Sequence, residues 1–133
     1  MIVGVGTDTV VIERMRAIHG RWGDRLAVRV LGPKEMAEYE RRKGRGVAGE
    51  DRAIRYLAKR FAAKEAIGKA LGVGLFHPMS LQSVEILNDA KGAPVASPRK
   101  ALAEYLRSRD YRIHVSISDE LENAQALAIV ERA

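Results

Sequence analysis

Apolar residues recur along this chain with two periods, and the switches between them outline its elements. From Ile2 to Thr9 the period is two: Val3, Val5 and Thr7 share one face, and Ile2, Gly4, Gly6 and Asp8 the other. This is a strand, and its second face is nearly bare, so another element can approach it closely. A helix is predicted from about Val10 to His19, carrying Arg14 and Arg16, with Gly20 as its stop. A basic stretch continues through Arg21, Arg25 and Arg29. Pro33 after Gly32 suits the first turn of a helix over GPKEMAEYERRK, which is charged outside and has a modest partner face. The Gly-rich, charged run Lys43 to Asp51 predicts a mobile loop, with Asp51 placed to cap a long helix that reaches about Leu71.

Period two returns in SVEIL and APVAS, which are separated by NDAKG, a run with hairpin turn chemistry. Ser97 and Pro98 read as the cap and first position of a helix through about Arg107, and the chain closes with the alternating runs YRIHVSIS and AQALAIVE, joined by DELEN. The order is strand, three helices, hairpin, helix, hairpin. Parallel folds alternate strand and helix more regularly, so the fold class is α+β, an antiparallel sheet with helices packed on it. The length of 133 residues suits one domain with a real core, spanning residues 1–133.

Within the long helix the pattern contains an anomaly. Ile54, Leu57, Ala58, Phe61, Glu65, Gly68 and Gly72 share one face, and Glu65 is a carboxylate in a stripe that is otherwise apolar or small. One reading is a partly wet inner edge, with Glu65 paired to Lys69 one turn on. The other is that Glu65 points to a ligand, since a buried carboxylate must be paired or metal-bound. Asp8, at the end of the bare strand face, supplies a second hard oxygen ligand if the helix packs there through Gly68 and Gly72. Two carboxylates plus water and substrate phosphate are how Mg²⁺ is usually held, and Lys64 and Lys69 would offer charge to the same phosphates.

Composition narrows the partner. A net charge of +6, carried mostly by Arg, points to an acidic one. With 5% aromatic residues the chain is a poor base-stacking binder, although backbone-only binding to a duplex, as a small basic nucleic-acid module, stays open. No cysteine is present, so neither a disulfide framework nor a Cys-based zinc site is available. No run is long and apolar enough for a membrane span, and the start lacks a signal peptide's basic region, so a cytoplasmic protein with no membrane partner is expected. GVGTDT lacks the third glycine of a dinucleotide fingerprint and has an acid where phosphate would need backbone N–H groups. His114, Ser116 and Ser118 alternate opposite Ile113, Val115 and Ile117, which by pattern alone is a solvated sheet face.

GVGTDTVVIER, RFAAKEAIGKALGVGL, DAKGAP and HVSISDE, in this order and spacing, resemble the short 4′-phosphopantetheinyl transferases of the holo-acyl-carrier-protein synthase type, over essentially the whole chain. The resemblance implies transfer of phosphopantetheine from coenzyme A to a serine of apo-acyl carrier protein, releasing adenosine 3′,5′-bisphosphate. It places Mg²⁺ on Asp8 and Glu65, and Lys69 near the coenzyme A phosphates, with Arg60 and Lys64 as further candidates there. Arg14, with Arg21 and Arg25, corresponds to the basic helix that receives the acidic carrier protein. Gly72 and Gly74 match the turn beside the pantetheine arm, and His114 a strand at a subunit boundary near the nucleotide. A homotrimer with interfacial sites is implied. Asp119 stands where many members have His, so that residue's role does not carry over.

Overall fold

The computed structural model describes residues 1–133. The first strand, β1 (Ile2–Val11), leads into α1 (Ile12–Trp22), α2 (Asp24–Val30), α3 (Pro33–Lys43) and α4 (Gly49–Leu71). There follow β2 (Val84–Asn88), β3 (Pro94–Pro98), α5 (Lys100–Arg109), β4 (Tyr111–Asp119) and β5 (Asn123–Arg132). The strands form two antiparallel sheets, one of order β1-β5-β4 and a separate hairpin β2-β3. The architecture is α+β, as the pattern predicts, but the sheet is divided.

Helix α4 is the axis. Its 23 residues span about 34 Å, and alanines at 53, 58, 62, 63, 66 and 70 favour the helix while leaving it thin enough for neighbours to approach on most sides. The three-stranded sheet lies against it through small residues. Gly6 pairs with Ala128 and Asp8 with Ala126 on β5, so Gly4, Gly6, Ala124, Ala126 and Ala128 turn toward the helix. A Cβ on Gly4 would lie 1.9 Å from the Ala70 carbonyl oxygen, and one on Gly6 2.2 Å from that of Ala66. The strand therefore rests on the helix backbone itself, a separation that no larger side chain permits.

Several boundaries differ from the sequence expectation. β1 continues through Val11, and α1 runs past Gly20 to Trp22, because Gly23, with φ of 57°, makes the turn instead. The basic stretch beyond it is a further helix, α2, whose periodicity is weak because only Ala27 and Val30 are buried. The expected loop Lys43–Asp51 shrinks to the five residues between α3 and α4, and the cap is Ala48, leaving Asp51 in the first turn bonded to Arg16 (2.7 Å) and Arg55 (3.1 Å). Ser97 and Pro98 do not begin α5. They complete β3, opposite Glu85 and Val84. The stripe assigned to the core is only half right: Ile54, Leu57, Ala58 and Gly68 are buried, but Phe61 and Glu65 are not. Gly68 also packs on the Gly74 carbonyl rather than on β1. Gly72 ends the helix at φ of 77°, in the left-handed region where glycine is favoured.

Polar clamps fix the short helices to this frame. Tyr39 is fully buried, its hydroxyl 2.7 Å from His19 Nε2 and donating to Asp24 (2.9 Å), which also receives Lys43 Nζ at 2.8 Å. This chain joins α1, α2 and α3. The second clamp is ionic: Lys64 Nζ, with no exposed surface, donates to Glu35 Oε1 and the Val30 carbonyl at 2.6 Å and to the Leu81 carbonyl at 2.9 Å. Glu35 in turn accepts from the backbone N–H groups of Gly32 and Ile86, each at 2.8 Å.

A buried ion pair contributes little beyond a well-packed apolar pair, yet removing one partner strands the other. Lys64→Ala should therefore cost about 3–5 kcal/mol in urea unfolding. Lys64→Met combined with Glu35→Gln, which removes both charges but keeps an acceptor for one of the two backbone N–H groups that Glu35 holds, should cost less than Lys64→Ala.

Candidate active site

Asp8 stands third after Gly4 and Gly6 on the helix-facing side of β1, two residues beyond the closest approach to Ala66. Glu65 precedes Ala66 on α4. The contact that seats the strand on the helix thus brings the two carboxylates together. They line one cleft of about 290 Å³ with Arg14, Met15 and Ile18 of α1, Leu26 of α2 and Phe61. Burial pushes the Glu65 carboxyl above the usual range for glutamate, the Asp8 charge adds to that, and Lys69 opposes it.

Lys69 does not pair with Glu65. Its ammonium bonds the Thr7 carbonyl oxygen (2.9 Å) and Asp8 Oδ1 (3.0 Å). Of the two carboxylates only Asp8 has a contacting cation, which leaves a donor set of hard oxygens with residual negative charge that suits a divalent ion holding most of its own water. The fit with Mg²⁺ is good: the oxygens are partly buried, and Glu65 is destabilised as an anion until more positive charge arrives.

The other expected residues are dispersed. Lys64 is withdrawn from any phosphate-binding role, because it is sealed in the clamp with Glu35. Arg60 lies about 140° around α4 from Glu65 by helical geometry, bonded to the Ile86 carbonyl at 3.1 Å and to Asn88, with its guanidinium 4.4 Å from the centre of the Tyr56 ring. It faces a different pocket, of about 450 Å³, with Lys34 and Arg42. Gly72 and Gly74 form the turn after α4, where the N–H groups of Val73 and Gly74 both bond the Gly68 carbonyl.

His114 is on the outer face of the sheet, opposite Ile129, while Asp8 is on the inner face in line with Ala126 and Ile117. Within one chain the two do not meet. His114 instead bonds Glu131 at 2.7 Å, which holds that carboxyl below its usual range. Asp119 closes the edge of β4 onto α4, 3.6 Å from Lys59 and 3.8 Å from Arg55.

Of the basic residues on the first helices, Arg14 overlooks the carboxylate cleft, while Arg25 lines an adjoining groove of about 380 Å³. Arg21 is exposed on α1 and lines neither. The groove's apolar part, Ile18, Trp22 and Leu26, was not singled out from the sequence. The one tryptophan of the chain, half exposed at 52% between Arg21 and Arg25, was the available sign.

Residues 4–130 match the profile of the 4′-phosphopantetheinyl transferase superfamily. The chain belongs to that family. It is 46% identical, over 99% of both chains, to the holo-[acyl-carrier-protein] synthase of Herminiimonas arsenicoxydans. Its structure is similar to that of holo-[acyl-carrier-protein] synthase from Neisseria meningitidis, with a TM-score of 0.88 and 35% identity over 99% of this chain and 100% of that one. It is also similar to the enzyme from Helicobacter pylori in complex with coenzyme A, at a TM-score of 0.76 and 28% identity over 96% and 99% of the two chains.

A carboxylate with a raised folded-state pKa binds its proton more tightly in the folded than in the unfolded state, so its ionisation removes stability as pH rises. Glu65→Gln should accordingly melt at a higher temperature than the unaltered chain at pH 7.5 in chelator. In acid, below the ordinary glutamate value, the difference should vanish. Thermal unfolding followed by circular dichroism at both pH values checks the sign.

Proposed function

We propose that this chain transfers 4′-phosphopantetheine from coenzyme A to a serine hydroxyl of an apo-acyl carrier protein at the Asp8–Glu65 cleft. The observation that carries the reading is the convergence of these carboxylates, with Lys69 beside them, in a chain so similar to holo-[acyl-carrier-protein] synthases. The serine oxygen forms a bond to the phosphorus that bears pantetheine, the bond to the bridging oxygen breaks, and adenosine 3′,5′-bisphosphate leaves. Such a transfer needs alignment and charge neutralisation more than covalent help from the protein.

Asp8 and Glu65 would hold Mg²⁺, which when bound neutralises the pyrophosphate and the charge developing on the leaving group. Lys69, on the exposed end of α4, is within reach of the same phosphates. Glu65 is a poor base while it serves as a ligand, so the serine proton goes to water. The pocket of Arg60, Arg42 and Lys34 is a further basic surface, to which a phosphate of the nucleotide end could bind.

The carrier protein is assigned to α1 and α2. Arg25 and Arg29 flank the apolar Ile18, Trp22 and Leu26, a groove that continues into the cleft through Ile18 and Leu26. Acidic side chains would meet the rim and apolar ones the floor, with Arg14 at the threshold of the chemistry. No helix is long and apolar enough to cross a membrane, and the substrates, coenzyme A and a carrier protein, agree with a cytoplasmic setting.

The outer sheet face supports a trimer. A single chain leaves Val3, Val5 and Leu127 partly exposed there beside His114, an apolar patch on a flat surface. Packing that face on a neighbour would cover the patch and let His114 contribute to a site that its own chain does not allow it to reach.

Mass spectrometry of an apo-carrier protein incubated with coenzyme A, Mg²⁺ and this chain should show the addition of one phosphopantetheine. Asp8→Ala and Glu65→Ala should each lower the rate by at least about 100-fold, and unchanged rates in both would overturn the assignment. Arg25→Glu should raise KM for the carrier about fivefold, the scale of one rim charge worth about 1 kcal/mol, while calorimetry finds coenzyme A affinity intact. For assembly, sedimentation should show a trimer, and mixed assemblies of Asp8→Ala with His114→Ala chains should recover activity absent from either alone. A fully active monomer would exclude the interfacial site.

A further inference from the structure

We propose that Lys69 acts, in the free enzyme, as a built-in cation at the metal seat and must be displaced from it for the ion to bind. The inference rests on the reading above that Asp8 and Glu65 are the metal ligands. Asp8 has one contacting cation, Lys69, whose ammonium is 3.0 Å from Oδ1 and 2.9 Å from the Thr7 carbonyl oxygen. Glu65, one helical turn before Lys69, has no hydrogen-bond or ion-pair partner of its own. Arg14, the one cation that lines the cleft, forms no ion pair either. The ammonium therefore supplies the positive charge that a divalent ion would otherwise bring.

An ion that arrives at Asp8 meets the ammonium already on Oδ1. Like charges that close repel even with the screening of a partly exposed site, so an entering ion must expel the ammonium or bind weakly beside it. Expulsion is mechanically easy. The Lys69 side chain is 51% exposed on an open face of α4, whereas that of Asp8 is only 18% exposed and fixed on the sheet. An expelled ammonium exchanges two acceptors for water until a pyrophosphate offers it new oxygens. Metal alone thus binds against Lys69, while metal with coenzyme A binds with Lys69 re-employed. The coupling is reciprocal, each ligand tightening the other by the same factor.

The test is Mn²⁺ binding to the coenzyme A-free enzyme, read as loss of the free-ion electron paramagnetic resonance signal. Lys69→Met should bind Mn²⁺ about tenfold more tightly than the unaltered chain, despite having lost a group that serves turnover. Lys69→Arg, which keeps the charge, should remain close to the unaltered affinity. Adding Asp8→Ala to Lys69→Met should abolish the gain. Equal or weaker binding by Lys69→Met, in a chain that does bind Mn²⁺ and loses it with Asp8→Ala, would overturn the displacement model while leaving the metal site standing. No Mn²⁺ binding by any of these proteins, with or without coenzyme A, would overturn the metal reading and this inference with it.

Discussion

The contact between the backbone of β1 and the backbone of α4 sets everything else in the site. Gly4 and Gly6 lie against the Ala70 and Ala66 carbonyls with no room for a side chain between them. A strand held that close delivers its next inward residue, Asp8, to the position on the helix where Glu65 emerges. The spacing of the carboxylates is thus fixed by main-chain atoms, which are far stiffer than the side chains they carry. An engineered methyl at Gly6 would act on the site by separating these two backbones, without altering either acid.

Much of this was legible in the sequence because it obeys short-range rules. The alternation in Ile2–Thr9 gave the strand and its bare face, and the helical phase of Glu65 marked it as out of place. What the pattern could not supply was which side of α4 remains open. The helix is surrounded on most sides, and only the arrival of the sheet on Ala66 and Ala70, and of α3 and β2 on Arg60 and Lys64, leaves the side of Phe61 and Glu65 facing the cleft, with Lys69 exposed next to it. Glu65 is therefore less an acid intruding on a core stripe than an acid on the one side that the core does not claim.

Lys64 shows the same limit from the opposite direction. Next to Glu65 in sequence and cationic, it reads as a phosphate ligand, yet one residue of helix is 100° of rotation, and that rotation takes it into the interior. Its partner Glu35 lies 29 residues earlier on α3, beyond any local pattern. Long-range ionic clamps of this kind are invisible to periodicity because neither residue looks unusual in its own helix. His114 is a different case. Its strand and face were read correctly, but a face that serves a neighbouring chain and one that merely meets solvent have the same alternation.

The clamps and the groove are made of separate residues. The side chains that hold α1 and α2 in place include His19, Asp24, Tyr39, Lys43, Glu35 and Lys64, while Ile18, Trp22, Arg25, Leu26 and Arg29 form the surface those helices present. Drift in the second set, apart from Leu26, which also packs on the core, leaves the first untouched. If these helices receive the carrier as proposed, such a scaffold can exchange that surface piecemeal, so descendants of one ancestral chain could come to serve carriers of different shape while keeping a common frame and common chemistry. For the engineer, Ile18, Trp22, Arg25 and Arg29 form a compact library that can be randomised with the fold's own fastenings left in place.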